Sequence, residues 1–143
     1  MVHVVRTTTV ARPADDVIAY LSDFAHTVEW DPGTVRCERI GAGSIAVGAQ
    51  WHNVSKVLGR ETELTYTLKT MDAGHLVFVG TNKTATSTDD ITVRPAGSGS
   101  EITYDATIEF NGLAKLAGPL MKIVFERLGN ETVVGLRKVL GTP

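Results

Sequence analysis

Between Thr34 and Phe110 the chain repeats one pattern, extended runs of alternating apolar and polar residues cut at short intervals by Gly, Asn and Asp. Alternation with period two marks a strand with one buried and one wet face. It predicts strands near 34–41, 49–58, 61–71, 75–82, 84–94 and 101–110. The separators are Gly41-Ala42-Gly43, Leu58-Gly59-Arg60, Asp72-Ala73-Gly74, Thr81-Asn82 and the six residues from Pro95 to Ser100. Connections this short make hairpins and leave no room for crossover helices, so the expected product is an antiparallel meander.

The alternation also assigns faces. Leu64, Tyr66 and Leu68 alternate with Glu63, Thr65, Thr67 and Lys69, and Ile102, Tyr104, Ala106, Ile108 and Phe110 alternate with Thr103, Asp105, Thr107 and Glu109. On the strand after Ala49 both faces are mixed, Trp51, Asn53, Ser55 and Val57 against His52, Val54, Lys56 and Leu58. Asp89 shares parity with Ile91 and Val93, so an inward carboxylate is conceivable there, and burial would raise its pKa.

The flanks have a different grammar. Val2 to Ala11 is rich in Val and Thr and reads as a strand. Pro13 suits the first position of a short helix, Asp15 and Asp16 favour its positive end, and Val17, Ile18, Tyr20 and Leu21 supply an apolar stripe. A second short helical turn is expected over Phe24 to Trp30, ended by the turn Asp31-Pro32-Gly33. From Leu113 to Leu140 the period is helical, with Leu116, Ala117, Leu120, Met121, Val124, Phe125, Leu128, Gly135, Leu136 and Val139 on one arc and a break expected at Gly118-Pro119. Gly129 and Gly135 weaken this helix unless close packing offsets them.

With 143 residues, 43% of them hydrophobic and 21% charged, the chain is expected to form one domain spanning residues 1–143 with a core of its own. Fourteen Lys and Arg against sixteen Asp and Glu give a net charge of -2, which makes no electrostatic case for nucleic acid. No apolar run approaches the ~20 residues of a membrane span. Cys37 is the single cysteine, and no basic-then-apolar segment precedes the first strand, so a cytoplasmic location is expected.

Signs of catalysis are sparse. His3, His26, His52 and His75 show no metal-ligand spacing, Cys37 has no CxxC partner, and neither GxGxxG nor GxSxG occurs. No metal, nucleotide or other cofactor is expected. His26, Glu29 and Asp31 lie within six residues and form a conceivable acid/base cluster, though turns gather such residues for structural reasons.

The order of strand, two short helices, six-stranded meander and long helix, with RPADDVIAYLSDF, then EWDP, then the Leu58-Gly59-Arg60 corner, resembles the polyketide cyclase/dehydrase family of the START-like superfamily. The resemblance implies an α+β helix-grip fold, a seven-stranded curved antiparallel sheet around the C-terminal helix with a cavity between them. In that geometry Trp30 is a wedge between the short helices, the sheet and the long helix, and its indole N–H is expected to find an acceptor. The family pattern turns residues in phase with Trp51 inward. The expected ligand-binding residues are therefore Trp51, Asn53, Ser55, Leu64, Tyr66, Leu68, Phe78, Tyr104, Ile108, Leu120, Met121, Val124, Phe125 and Leu128. Asn53 and Ser55 either meet a ligand or satisfy one another around water.

Three functions follow from the resemblance. The first is binding of a hydrophobic small-molecule ligand, a lipid, isoprenoid or polyketide-like compound, in the cavity. The second is a cyclase, aromatase or dehydratase using Tyr66, Tyr104, Asn53 or Asp89. The third is a non-enzymatic regulatory or toxin-like interaction protein.

Overall fold

The computed structural model describes residues 1–112 and 118–143. Seven strands form one antiparallel sheet: β1 Val2–Val10, β2 Thr34–Ile40, β3 Gln50–Val57, β4 Arg60–Asp72, β5 His75–Thr81, β6 Ala85–Ala96 and β7 Gly99–Phe110. Their spatial order is β1-β7-β6-β5-β4-β3-β2, so the meander from β2 to β7 is closed by β1 returning beside β7. The predicted strands are all present, with ends displaced by one or two residues. The β3–β4 corner is a two-residue turn in which Leu58 and Gly59 both take positive φ, 53° and 78°, as the primed hairpin turns require. Register shifts between Thr34 and Arg36 and between Leu68 and Thr70 bend the sheet.

The two edge strands are linked through the short helices. Helix α1, Ala14–Leu21, starts one residue later than predicted, because Pro13 is extended (ψ 154°) and caps it. A single 3-10 turn, Phe24–His26, is capped by the Asp23 carboxylate, which accepts from the Ala25 N–H at 3.0 Å. Helix α2, Thr27–Trp30, ends in the predicted turn, where the Thr34 N–H reaches the Asp31 carbonyl at 3.2 Å.

Helix α3, Gly118–Leu140, lies on the inner face of the sheet and packs most closely on β1. The expected helical residues Leu116 and Ala117 lie outside the described residues. Both interior glycines sit where a side chain would collide. A Cβ on Gly129 would stand 2.7 Å from Val4 Cγ1, and one on Gly135 would stand 2.2 Å from the Trp30 carbonyl oxygen. Close packing thus accounts for their presence, since each helical glycine costs roughly 0.5 to 1 kcal/mol relative to Ala.

The inner face is solid at one end and hollow at the other. Under α1 and α2, Val17, Leu21, Phe24, Trp51, Leu68, Leu76, Phe78, Ile91 and Ile102 are all at most 1% exposed. Phe24 stacks at tilted angles on Tyr66 and Phe78, with centroids 4.4 and 4.5 Å apart. Under the first half of α3 that filling stops.

Candidate functional site

A cavity of about 180 Å³ lies between the sheet and α3. It exists because small residues meet in register. One row across the inner face runs from Tyr66 to Gly80, Ser87, Ile108 and Val2, and the next places Asp89 beside Ala106 and Val4. Ala85, Ser87 and Ala106 occupy positions where Leu or Phe would fill the space. Met121, Phe125, Leu128 and Thr132, spaced three or four residues apart along α3, form the roof together with Gly129.

Polar groups enter this apolar space at few points. Asp89, in the middle of β6, is 4% exposed and faces the Tyr104 phenol. Burial first, and then the charge of Asp31, raise its pKa to about 7, while the hydrogen bond from Tyr104 pulls it down. Burial and then the Asp89 charge hold the Tyr66 and Tyr104 phenols well above their ordinary value, so both are neutral donors near neutral pH. The Tyr66 ring lies over Gly80, which directs its phenol toward Ser87.

Asp31 reaches the cavity from the turn after α2. Its carboxylate accepts from the Thr34 hydroxyl at 2.8 Å and the Gly33 N–H at 3.2 Å, yet burial outweighs both bonds and raises its pKa. The chain of bonds continues outward. Asn53 donates to the Thr34 hydroxyl at 3.5 Å, and the Ser55 hydroxyl donates to the Asn53 amide oxygen at 2.6 Å. Asn53 and Ser55 therefore satisfy one another directly.

Of the expected ligand-binding residues, Ser55, Leu64, Tyr66, Tyr104, Ile108, Met121, Phe125 and Leu128 line the cavity. Trp51, Leu68 and Phe78 are fully buried in the solid half, where the Trp51 indole N–H donates to the Asp23 carboxylate at 3.0 Å. Asn53 is 1% exposed, behind Ser55. Leu120 is 55% exposed, since it lies about 100° around the helix from Met121, and Val124 stands in the same relation to Phe125. Neither lines the cavity.

The cluster of His26, Glu29 and Asp31 comes apart. The His26 ring stacks on Tyr20 with centroids 4.3 Å apart, Glu29 accepts from the Tyr20 hydroxyl at 2.6 Å, and only Asp31 turns to the cavity. Trp30 is buried as a wedge, edge-on to Tyr104 at 5.8 Å, but its N–H has no hydrogen-bond partner among the described residues. The indole packs against the Tyr104 ring, while the Trp30 backbone lies against Gly135 of α3.

Alternation alone left Asp89 open between two faces and gave Asp31 no face at all. Val2, Val4, Ala85, Ser87 and Ala106 also line the cavity, Ser87 brought to Tyr66 across Gly80 by the pairing of β4, β5 and β6, and Val2 and Val4 by the pairing of β1 with β7. Among the described residues no group of three or more His, Cys, Asp or Glu is placed to hold a metal ion, and no helix is long and apolar enough to cross a membrane.

Similar architectures occur in solved structures. A START superfamily protein from Mycobacterium smegmatis superposes with a TM-score of 0.80 at 14% identity, covering 96% of both chains. The aromatase/cyclase Zhui from a Streptomyces species gives 0.78 at 17% identity, covering 96% of this chain and 94% of that one. A Thermus thermophilus protein gives 0.72 at 14% identity, covering 96% and 98%. Identities this low establish the shared START-like fold and nothing about chemistry. No curated protein matches the sequence. Residues 1–141, nearly the whole chain, match the family described as polyketide cyclase/dehydrase and lipid transport, and the protein belongs to that family.

Proposed function

We propose that the protein binds a compact apolar or amphipathic small molecule in the cavity between sheet and α3. The observation that carries this reading is the set of small residues, Ala85, Ser87 and Ala106, on adjacent strands β6 and β7, that leaves space under a helix whose facing side chains are largely apolar. A dry cavity of about 150 Å³ accepts one benzene ring, so about 180 Å³ suits one ring with a short substituent. The phenols of Tyr66 and Tyr104 and the carboxyls of Asp31 and Asp89 supply the few fixed polar groups that orient ligands in such pockets.

The test is an amide-resolved NMR titration with small aromatic compounds. Shifts are expected at Ser87, Tyr104, Ala106 and Phe125. Ala106→Leu fills the space and should abolish them while the fold persists. Shifts unchanged by Ala106→Leu would remove the cavity from consideration.

A second reading is catalysis on an enolisable carbonyl compound, and Asp89 favours it. A buried carboxyl with a pKa of about 7 is poised to take and return a proton near neutral pH, and the neutral Tyr66 phenol stands ready to donate to a developing oxyanion. Exchange of the α-protons of a small β-keto compound for deuterium, lost in Asp89→Asn, is the expected signature. No exchange above the buffer rate would leave binding as the function.

A further inference from the structure

The cavity lining is lopsided in charge. Asp31 and Asp89 both reach it, and among the described residues no Lys, Arg or His lines it and neither carboxylate forms an ion pair. The partly buried cations on neighbouring elements are engaged elsewhere or absent from the lining. Arg6 of β1, in the same cross-strand row as Tyr104, gives its guanidinium to Glu126 and Asn130 of α3. Arg39 lies over the Trp51 ring at 5.5 Å, and Arg137 of α3 does not line the space. Beside Asp89 stand the phenols of Tyr66 and Tyr104, and the rings of Phe110 and Phe125 line the same space.

Buried carboxylates without a counter-charge are costly, and the cost disappears when a cation is supplied. Aromatic rings lining the same space attract the same kind of charge, as in the recognition of organic ammonium ligands. Resting on the reading that the cavity holds a small molecule, we propose that its occupant is an amine on a compact aromatic skeleton, bound as the ammonium cation against Asp89 and Asp31. Asp89 itself is 4% exposed, points into the space and awaits a partner of opposite charge.

The experiment compares three compounds of nearly equal shape, 2-phenylethylamine, 2-phenylethanol and phenylacetate, by calorimetry on the full chain at pH 5.5 and pH 8. The amine should bind about tenfold tighter than the alcohol at pH 8, and phenylacetate weakest of the three. That preference should shrink at pH 5.5, where Asp89, with its pKa of about 7, holds a proton. The facing groups Tyr66 and Tyr104 stay neutral over this range, and burial shifts the facing Asp31 carboxyl upward as well. Asp89→Asn should bring amine and alcohol within about threefold of each other at pH 8. An alcohol that binds as well as the amine to the wild-type protein at pH 8 overturns the charge assignment and leaves the cavity reading standing. So does a preference undiminished in Asp89→Asn. Binding of none of the three at millimolar concentration overturns the cavity reading, and the amine proposal with it.

Discussion

The Tyr66 ring lies flat across Gly80, so closely that a Cβ at position 80 would stand 2.6 Å from Tyr66 Cζ. The pair is directly opposed on β4 and β5, and the glycine is what lets a phenol from one strand reach over its neighbour toward Ser87. Gly80→Ala should therefore displace the ring, at the ~1–3 kcal/mol typical of overpacking. In a Tyr66→Ala background the same change should cost almost nothing, because the clash has been removed. A double-mutant cycle by urea denaturation checks this, and additive costs would show that the Tyr66 ring is not the source of the penalty.

Asp89 makes stability depend on pH in an unusual direction for a carboxylate. Its folded pKa of about 7 lies above the ordinary aspartate value of 3.8, so the native state holds this proton more tightly than the unfolded chain. Stability is full below about pH 4, falls as pH rises and levels off above about pH 7, a loss of up to about 4 kcal/mol at ~1.4 kcal/mol per pH unit. Asp31 is shifted the same way. Asp89→Asn should flatten most of the profile and be more stable than wild type at pH 8, as read from denaturation midpoints between pH 4 and 8.

The helix glycines should respond unequally. At Gly129 the nearest obstacle is the Val4 side chain, 2.7 Å away, whereas at Gly135 it is the Trp30 carbonyl, 2.2 Å away, and backbone cannot step aside. Alanine gains about 1 kcal/mol of helix propensity at either site. Gly129→Ala should come out mildly destabilising and Gly135→Ala worse by about 2 kcal/mol or more, with thermal unfolding as the measure. Equal costs would show that α2 yields as easily as a valine does.

The two tryptophans offer a contrast in hydrogen bonding at similar burial. Trp51 donates to the Asp23 carboxylate, while the Trp30 N–H has no partner among the described residues. Replacing each with Phe removes a similar volume, but only Trp51→Phe also breaks a charge-assisted bond worth about 1.5 to 3 kcal/mol. Trp51→Phe should thus be the more destabilising by about that amount. The reverse order in chemical denaturation would show that Trp30 has an acceptor in solution.

The meander was legible because each hairpin is written locally. Gly59, Gly74 and Gly97 mark corners, and the alternation around Tyr66 and Tyr104 shows which face each strand buries. The site was legible only in part, because it depends on register. Ser87 and Ala106 are unremarkable one at a time and make a cavity only when pairing sets them beside Tyr66 and Asp89. Asp31 escaped strand parity altogether, since it belongs to a turn. Leu120 and Val124 carried the right hydrophobicity on the wrong side of α3, where a broad apolar arc could not say which edge meets the sheet.

The burial of α3 is graded along its length. Its fully buried positions, Gly129, Thr132, Leu136 and Leu140, all fall in the second half, while Gly118 to Leu128 contributes none. Local unfolding free energy follows buried contacts, so the half that roofs the cavity should fray first and exchange its amide hydrogens soonest. The same helix is thereby an anchor at its tail and the loosest wall of the cavity at its head, so under the binding reading proposed above a ligand would be held only as firmly as that first half stays packed.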